Sequence, residues 1–176
     1  MSFLNPEQVL AQLDVHEGMK VADFGSGHGY FAIPLAKIVG SNGLVYALDV
    51  RKDALDAVNS QAKLEGVSNI ETIRGNLENV NGSKLSDNSI DLVFLANILF
   101  QSQKKSEIIR EAKRALKLGG IFVLVDWRPD SGSLGPQSGW RMSFDEARAM
   151  AQEQGFVFNK IFDAGEYHYG LMFIKP

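Results

Sequence analysis

Apolar residues along this chain switch repeatedly between a period near two and a period near 3.6, and each switch marks an element. Asn5-Pro6-Glu7-Gln8 has the form of a helix start, with Asn as N-cap and Pro at the first helical position. Val9, Leu10 and Leu13 supply the buried stripe of that short leading helix. His16-Glu17-Gly18 turns the chain into a first strand, Lys20 to Phe24, followed by a glycine-rich loop and a helix near Tyr30 to Val39. After the turn Ser41-Asn42-Gly43 come a strand at Leu44 to Leu48, a helix over roughly Asp53 to Glu65, and strands at Ile70 to Arg74 and Ile90 to Leu95. Lys104 to Lys117 reads as an amphipathic helix carrying Ile108, Ile109, Ala112 and Leu116, ended by Leu118-Gly119-Gly120 before a fifth strand, Ile121 to Val125.

Strands alternating with helices predict parallel pairing and a doubly wound α/β sheet with helices on both faces. The end of the chain breaks the rhythm. A helix opens at the capping box Ser143-Phe144-Asp145-Glu146, and two strand-like runs follow, Phe156 to Phe162 and Tyr167 to Ile174. The gap between them is too short for a helical crossover, so they are expected to form an antiparallel hairpin, giving seven strands in all. The pattern predicts a single domain over 1–176, with 1–17 a leading helix and linker and 128–142 a flap loop.

Composition narrows the classes. The chain has 176 residues, 45% of them apolar, enough for a sizeable core. Its formal net charge of -3 gives no electrostatic case for a nucleic-acid partner. It contains no cysteine, which removes disulfides, thiolate metal sites and thiol nucleophiles together. Its three histidines, His16, His28 and His168, are too scattered in sequence to suggest a ligand set, so no metal is expected. The start lacks a basic head and an apolar signal core, and no apolar stretch is long enough to span a bilayer. A soluble, cytoplasmic protein with no membrane span is the expectation.

The chemistry concentrates at Asp23-Phe24-Gly25-Ser26-Gly27-His28-Gly29, which follows a buried strand and opens a helix. Glycines let the backbone turn sharply there and let a ligand approach closely, and a helix start offers N–H groups that suit an anion, a carboxylate as readily as a phosphate. Asp49 ends the second strand roughly twenty residues later, where a carboxylate can accept hydrogen bonds from both hydroxyls of a ribose. A tight turn beside a solvated aspartate is the plainer reading. Gly27-His28-Gly29-Tyr30-Phe31-Ala32 also fits the dinucleotide pattern G-x-G-x-x-A. Against that alternative, an NAD-binding oxidoreductase, Asp23 would repel a pyrophosphate but welcome an ammonium, and the closing hairpin is foreign to a nicotinamide-binding sheet.

The same heptapeptide resembles the first motif, D-x-G-x-G-x-G, of class I S-adenosylmethionine-dependent methyltransferases. The resemblance continues through Ala47-Leu48-Asp49-Val50, Gly75-Asn76-Leu77-Glu78, Asp87-Asn88-Ser89-Ile90-Asp91-Leu92-Val93 and Ala115-Leu116-Lys117-Leu118-Gly119-Gly120, five motifs in order. It is closest to the small-molecule branch that includes quinone-biosynthesis methyltransferases. It implies a Rossmann-like sheet and S-adenosylmethionine as cofactor, held by Asp23, Gly25, Ser26, Gly27, Asp49, Val50, Asn76, Leu77 and Asn97. It implies methyl transfer to a small or medium organic acceptor, with RNA or protein as the alternative acceptor. Three departures matter. Asn76 stands where the family's aspartate contacts the adenine amino group. Asn97-Ile98-Leu99-Phe100-Gln101 replaces the His-His that the quinone branch often carries. The same segment is not N-P-P-Y, and the lack of cysteine excludes cytosine-C5 and thiolate-based arsenite methylation chemically.

Methyl transfer from a sulfonium is a direct displacement, so a general base is needed only if the acceptor must lose a proton. Asp126, at the end of the fifth strand, is a candidate base or a structural carboxylate. His28 and Tyr30, beside the cofactor loop, are candidate acceptor contacts or, more simply, a surface histidine and a core-facing tyrosine. The aromatic and arginine residues around the 128–142 loop, among them Trp127, Arg128, Trp140 and Arg141, can enclose a flat or anionic acceptor, while the two tryptophans can equally pack the loop onto the sheet. His168 and Tyr169, near the hairpin, rank lower. Lys104, Lys105, Lys113, Arg114 and Lys117 read as a solvated face or a docking surface. With no large insertion over the acceptor side, the site is either open or completed by a second subunit of a homo-oligomer.

Overall fold

The computed structural model describes residues 4–176. Its elements run α1 (Pro6–Leu10), β1 (Lys20–Phe24), α2 (Ala32–Val39), β2 (Leu44–Asp49), α3 (Lys52–Leu64), β3 (Ile70–Arg74) and β4 (Ile90–Ala96). They continue α4 (Lys105–Ala115), β5 (Leu116–Trp127), α5 (Phe144–Glu153), β6 (Val157–Phe162) and β7 (His168–Ile174). All strands join one seven-stranded sheet in the order β3-β2-β1-β4-β5-β7-β6. Strands β1 to β5 pair in parallel, and β7 runs antiparallel to both β5 and β6, so the closing hairpin inserts its second strand against β5.

Strand alternation sends side chains to two cores. On one face Val9, Leu10 and Val58 of α1 and α3 pack with α2 against Val21, Phe94 and Val123. On the other, Ile108, Ile109 and Ala112 of α4 and Ala147 of α5 cover Phe24, Leu95 and Phe122. Phe122 stacks on both Phe156 and Phe173 in a three-ring cluster, with ring centroids 4.9 and 5.9 Å away. Because β1 lies between β2 and β4, the connections leave it in opposite directions. A crevice therefore opens above the carboxyl ends of β1 and β4, the place where open α/β sheets bind ligands.

Local signals explain the boundaries. The Asn5 side chain caps the Gln8 N–H at 3.3 Å, and Ser143 and Glu146 close the expected capping box. One boundary differs. Leu118-Gly119-Gly120 does not simply terminate a helix, because α4 stops at Ala115 and the glycines lie inside β5 as a bulge. The Gly119 N–H bonds the Lys175 carbonyl and the Lys175 N–H bonds the Gly120 carbonyl, which draws this segment into the ladder. The Lys175 ammonium in turn caps α4 by donating to the carbonyls of Lys113 and Leu116.

The basic cluster on and around α4 is partly tied down: Arg114 of α4 joins Glu111 and Asp87, and Lys117, at the start of β5, pairs with Asp91. Glu111, 4% exposed, also accepts the Ser83 N–H and hydroxyl, and so pins the 75–89 loop to α4. Burial pushes the Glu111 carboxyl up, but the bonds from Arg114 and Ser83 outweigh it and hold the group below the usual range. Glu111→Ala strands Ser83 and weakens the hold on Arg114. It is expected to cost about 3 kcal/mol and lower the melting temperature by roughly 6–12 °C; thermal denaturation showing a change under about 1 °C would contradict this account of the loop.

Candidate functional site

Two cavities open along the carboxyl edge of the sheet and meet at Gly25, Gly27, Ala96 and Asn97. The first, about 600 Å³, spreads over the ends of β2 and β3 between Asp49, Val50, Asn76, Leu77, Ile98 and Ile108. The second, about 480 Å³, lies over β1, β5 and β7 between Asp23, Ser26, Tyr30, Phe31, Trp127 and His168.

The glycine loop separates them. Gly25 has φ 77, and a Cβ there would run into the Ile98 side chain. Gly27 has φ 50, and a Cβ there would meet nothing within 4 Å, so the backbone presents an open cradle. The loop amides are turned inward: Gly25 and Ser26 N–H both bond the Leu48 carbonyl at 2.8 Å, and Gly29 N–H bonds the Ser26 carbonyl at 2.9 Å. Gly27 N–H donates to Asp49 Oδ2 at 3.0 Å. These four loop donors are therefore spent within the chain and are not offered to an anion.

Asp49 holds two chain segments at once, since its Oδ1 accepts the Arg51 N–H at 2.9 Å. Each oxygen keeps a second lone pair, and the residue lines the first cavity. Asn76 Oδ1 accepts the Glu78 N–H at 3.0 Å, a local turn that leaves its amide group and one lone pair for a ligand. Leu77 and the exposed Val50 give this cavity apolar walls, joined by Ile98 and Ile108.

The second cavity holds most of the unmet polar demand. Asp23 Oδ2, Ser26 Oγ, Asn97 Oδ1 and both ring nitrogens of His168 are buried without a hydrogen-bond partner. Such groups are costly unless a ligand completes them. Burial pushes the Asp23 carboxyl up to about 7, helped by the Asp49 charge, although the Ala32 N–H pulls it down. Asn97 adopts φ 58, a left-handed conformation that asparagine tolerates better than most residues, and its main chain is fixed by Val125 and Gln101.

Other expectations resolve differently. Tyr30 is not core-facing: it is exposed, and its hydroxyl donates to the Leu4 carbonyl at 2.7 Å, closing one side of the second cavity. His28 is exposed on the rim. Asp126 is 1% exposed and lines neither cavity; burial pushes it up to about 6 while the Trp127 N–H holds one oxygen. Arg141 is not available to an anionic acceptor, because its guanidinium gathers the carbonyls of Pro129, Gly132, Leu134 and Pro136 into a compact loop. Trp127 both packs against Gly135 of that loop and lines the second cavity, whereas Trp140 lies on a separate shallow groove. Ile98, Gln101, Ser102 and Ile108 of the first cavity were not singled out by their motifs, although their places just after β4 and in the first turn of α4 point to the same edge.

Comparison with known proteins fits this geometry. A family model described as a methyltransferase domain matches residues 15–154. The chain belongs to the class I S-adenosylmethionine-dependent methyltransferases. A crystal structure of a SAM-dependent methyltransferase from Aquifex aeolicus superimposes with a TM-score of 0.90 at 26% identity, covering 99% of this chain and 91% of that one. An arsenite methyltransferase of Aquipseudomonas alcaligenes is 28% identical over 80% of this chain and 45% of its own length. A demethylmenaquinone methyltransferase of Geobacillus kaustophilus is 30% identical over 68% of this chain and 50% of its own. The methyltransferase thus spans about half the length of the curated relatives it matches. Among the described residues no helix is long and apolar enough to cross a membrane.

The raised Asp23 pKa has a stability consequence. Its folded value, about 7, lies above the ordinary 3.8, so this group's contribution is full below about pH 4 and is lost as pH rises through 7. Asp23→Asn, which cannot ionise, is expected to stabilise the ligand-free methyltransferase at pH 8 by a few kcal/mol and to change little at pH 4.5. Scanning fluorimetry at the two pH values checks this, and equal shifts at both would be evidence against a protonated, buried Asp23.

Proposed function

We propose that this methyltransferase moves the methyl group of S-adenosylmethionine to a small or medium organic acceptor by direct displacement, with the adenosine in the first cavity and the amino-acid end beside Asp23. One observation carries the reading: two cavities of different character share a glycine cradle, and buried, unpartnered polar atoms cluster on the amino-acid side. Asp49 offers its spare lone pairs to the ribose hydroxyls, Val50, Leu77, Ile98 and Ile108 enclose the purine, and Asn76 meets its edge. Asp23 ionises opposite an ammonium, while Ser26 and Asn97 supply neutral polar contacts at the junction.

When bound, the cofactor supplies an activated methyl on a positively charged sulfur. The chain's part is alignment and exclusion of water. A dinucleotide fits worse, because the loop amides that would cradle a pyrophosphate are already bonded to Leu48 and Asp49, and two carboxylates flank the loop. The kinship with arsenite and demethylmenaquinone methyltransferases supports a small-molecule acceptor. The absence of cysteine argues against thiolate capture of arsenite by this chain.

Thermal shift with S-adenosylmethionine, S-adenosylhomocysteine and NAD side by side tests the reading. A ligand at a hundred times its dissociation constant stabilises the fold by about 2.7 kcal/mol. The two sulfur nucleosides are expected to do so and NAD to do nothing. Asp49→Ala removes two charge-assisted ribose contacts and the Gly27 anchor, so affinity for S-adenosylhomocysteine is expected to fall by about 100-fold or more. Undiminished binding in that variant would leave the cofactor misplaced in this account.

A further inference from the structure

The second cavity contains a feature that the cofactor reading leaves unused. His168 opens β7 directly opposite Trp127 of β5 in the antiparallel register, so both rings project from the same face of the sheet. The imidazole and indole lie against each other, with centroids 4.2 Å apart and planes tilted by 41°. His168 is 3% exposed, yet neither ring nitrogen has a partner. A neutral imidazole carries one donor and one acceptor, and leaving both unmet in a buried place is unfavourable unless a ligand completes them. Asp23, on the same cavity wall, would face an ammonium in the proposed complex and repel an anionic acceptor. No lysine or arginine is among the described residues lining this cavity.

We infer, resting on the methyl-transfer reading, that His168 accepts a hydrogen bond from the hydroxyl of a flat, uncharged aromatic acceptor lying against Trp127, and takes its proton as the methyl group moves. The hydroxyl oxygen attacks the methyl carbon. The C–O bond forms as the C–S bond breaks, the electron pair of that bond goes to sulfur, and the sulfonium becomes a neutral thioether. The O–H proton, made acidic by the developing positive charge on oxygen, passes to the free imidazole nitrogen and then to water when the ether leaves. Burial holds the imidazole pKa down at about 4, so the ring is neutral and able to accept across the range in which Asp23 ionises. The charged or titratable groups sharing cavity walls with His168 are Asp23, His28 and Tyr30 on one side, and Arg128, Asp163 and Tyr169 on the other.

The test uses the full chain saturated with S-adenosylhomocysteine, with 1-naphthol as probe and 1-methoxynaphthalene as the analogue without a proton. Side-chain 15N NMR of the wild type is expected to show the His168 imidazole resonances moving on addition of 1-naphthol. Calorimetry is expected to show 1-naphthol binding about tenfold more tightly than the ether. His168→Phe should erase that preference while S-adenosylhomocysteine still binds, and His168→Gln, which restores an acceptor, should recover part of it. With S-adenosylmethionine, formation of 1-methoxynaphthalene should slow at least about tenfold in His168→Phe. Equal binding of the two naphthalenes with unmoved His168 resonances, in protein that does bind S-adenosylhomocysteine, overturns the role of His168 alone. Failure of S-adenosylhomocysteine to bind the wild type overturns the cofactor reading and this inference with it.

Discussion

The carboxylate of Asp49 is the point on which the site depends. One oxygen fixes the Gly27 N–H and the other fixes the Arg51 N–H, so the end of β2 dictates the shape of the loop leaving β1 and the entry into α3. A carboxylate is suited to this double duty because each oxygen has two acceptor positions, and charge assistance strengthens every bond it makes. The same group that shapes the cradle therefore has acceptor capacity left on the side where a ribose would lie. Folding and binding share one residue, and the loop is formed before a ligand arrives.

The rest of the edge is built to keep that cradle open. Ile98 fills the space over Gly25 that a side chain would need, which couples the segment after β4 to the loop after β1 across the switch point of the sheet. Below the first cavity, Glu111 and Arg114 hold Ser83 from the far side of the 75–89 loop, so that Asn76 and Leu77 are presented by an anchored segment. Asn97 has its main chain fixed by Val125 and Gln101, which leaves its buried side-chain oxygen directed by the backbone alone. Preorganised polar groups of this kind need no rearrangement at the moment of reaction.

Most of the framework was legible because strand and helix periods differ sharply, and caps such as Asn5 and Ser143 announce themselves within four residues. The strand spans of β1 and β3 and the closing hairpin follow from local pattern alone. What local pattern misses is long-range pairing. Gly119 and Gly120 look like a helix stop until Lys175, far away in sequence, completes their ladder. Tyr30 looks core-facing by its place beside a buried helix, yet a contact with Leu4 holds it at the surface. Arg141 looks like an anion receptor because its four carbonyl partners cannot be read from composition. His168 gives no signal as a lone histidine on a strand; only the register with Trp127 and the lack of a partner for its nitrogens single it out.

The proposed reading divides the labour between two sides of the sheet edge. The family model covers residues 15–154, which hold the glycine loop, the Asp49 strand end and the apolar walls of the first cavity, while β7 with His168 lies beyond it. In the proposed reading the acceptor meets the other side, where this chain places a tied loop, an indole and a buried imidazole. Because displacement at a sulfonium requires alignment more than acid or base power, a change of acceptor needs only a few residues on that side to change. In that reading the cofactor side constrains the fold, and the β5–β7 edge carries the residues that would meet the acceptor.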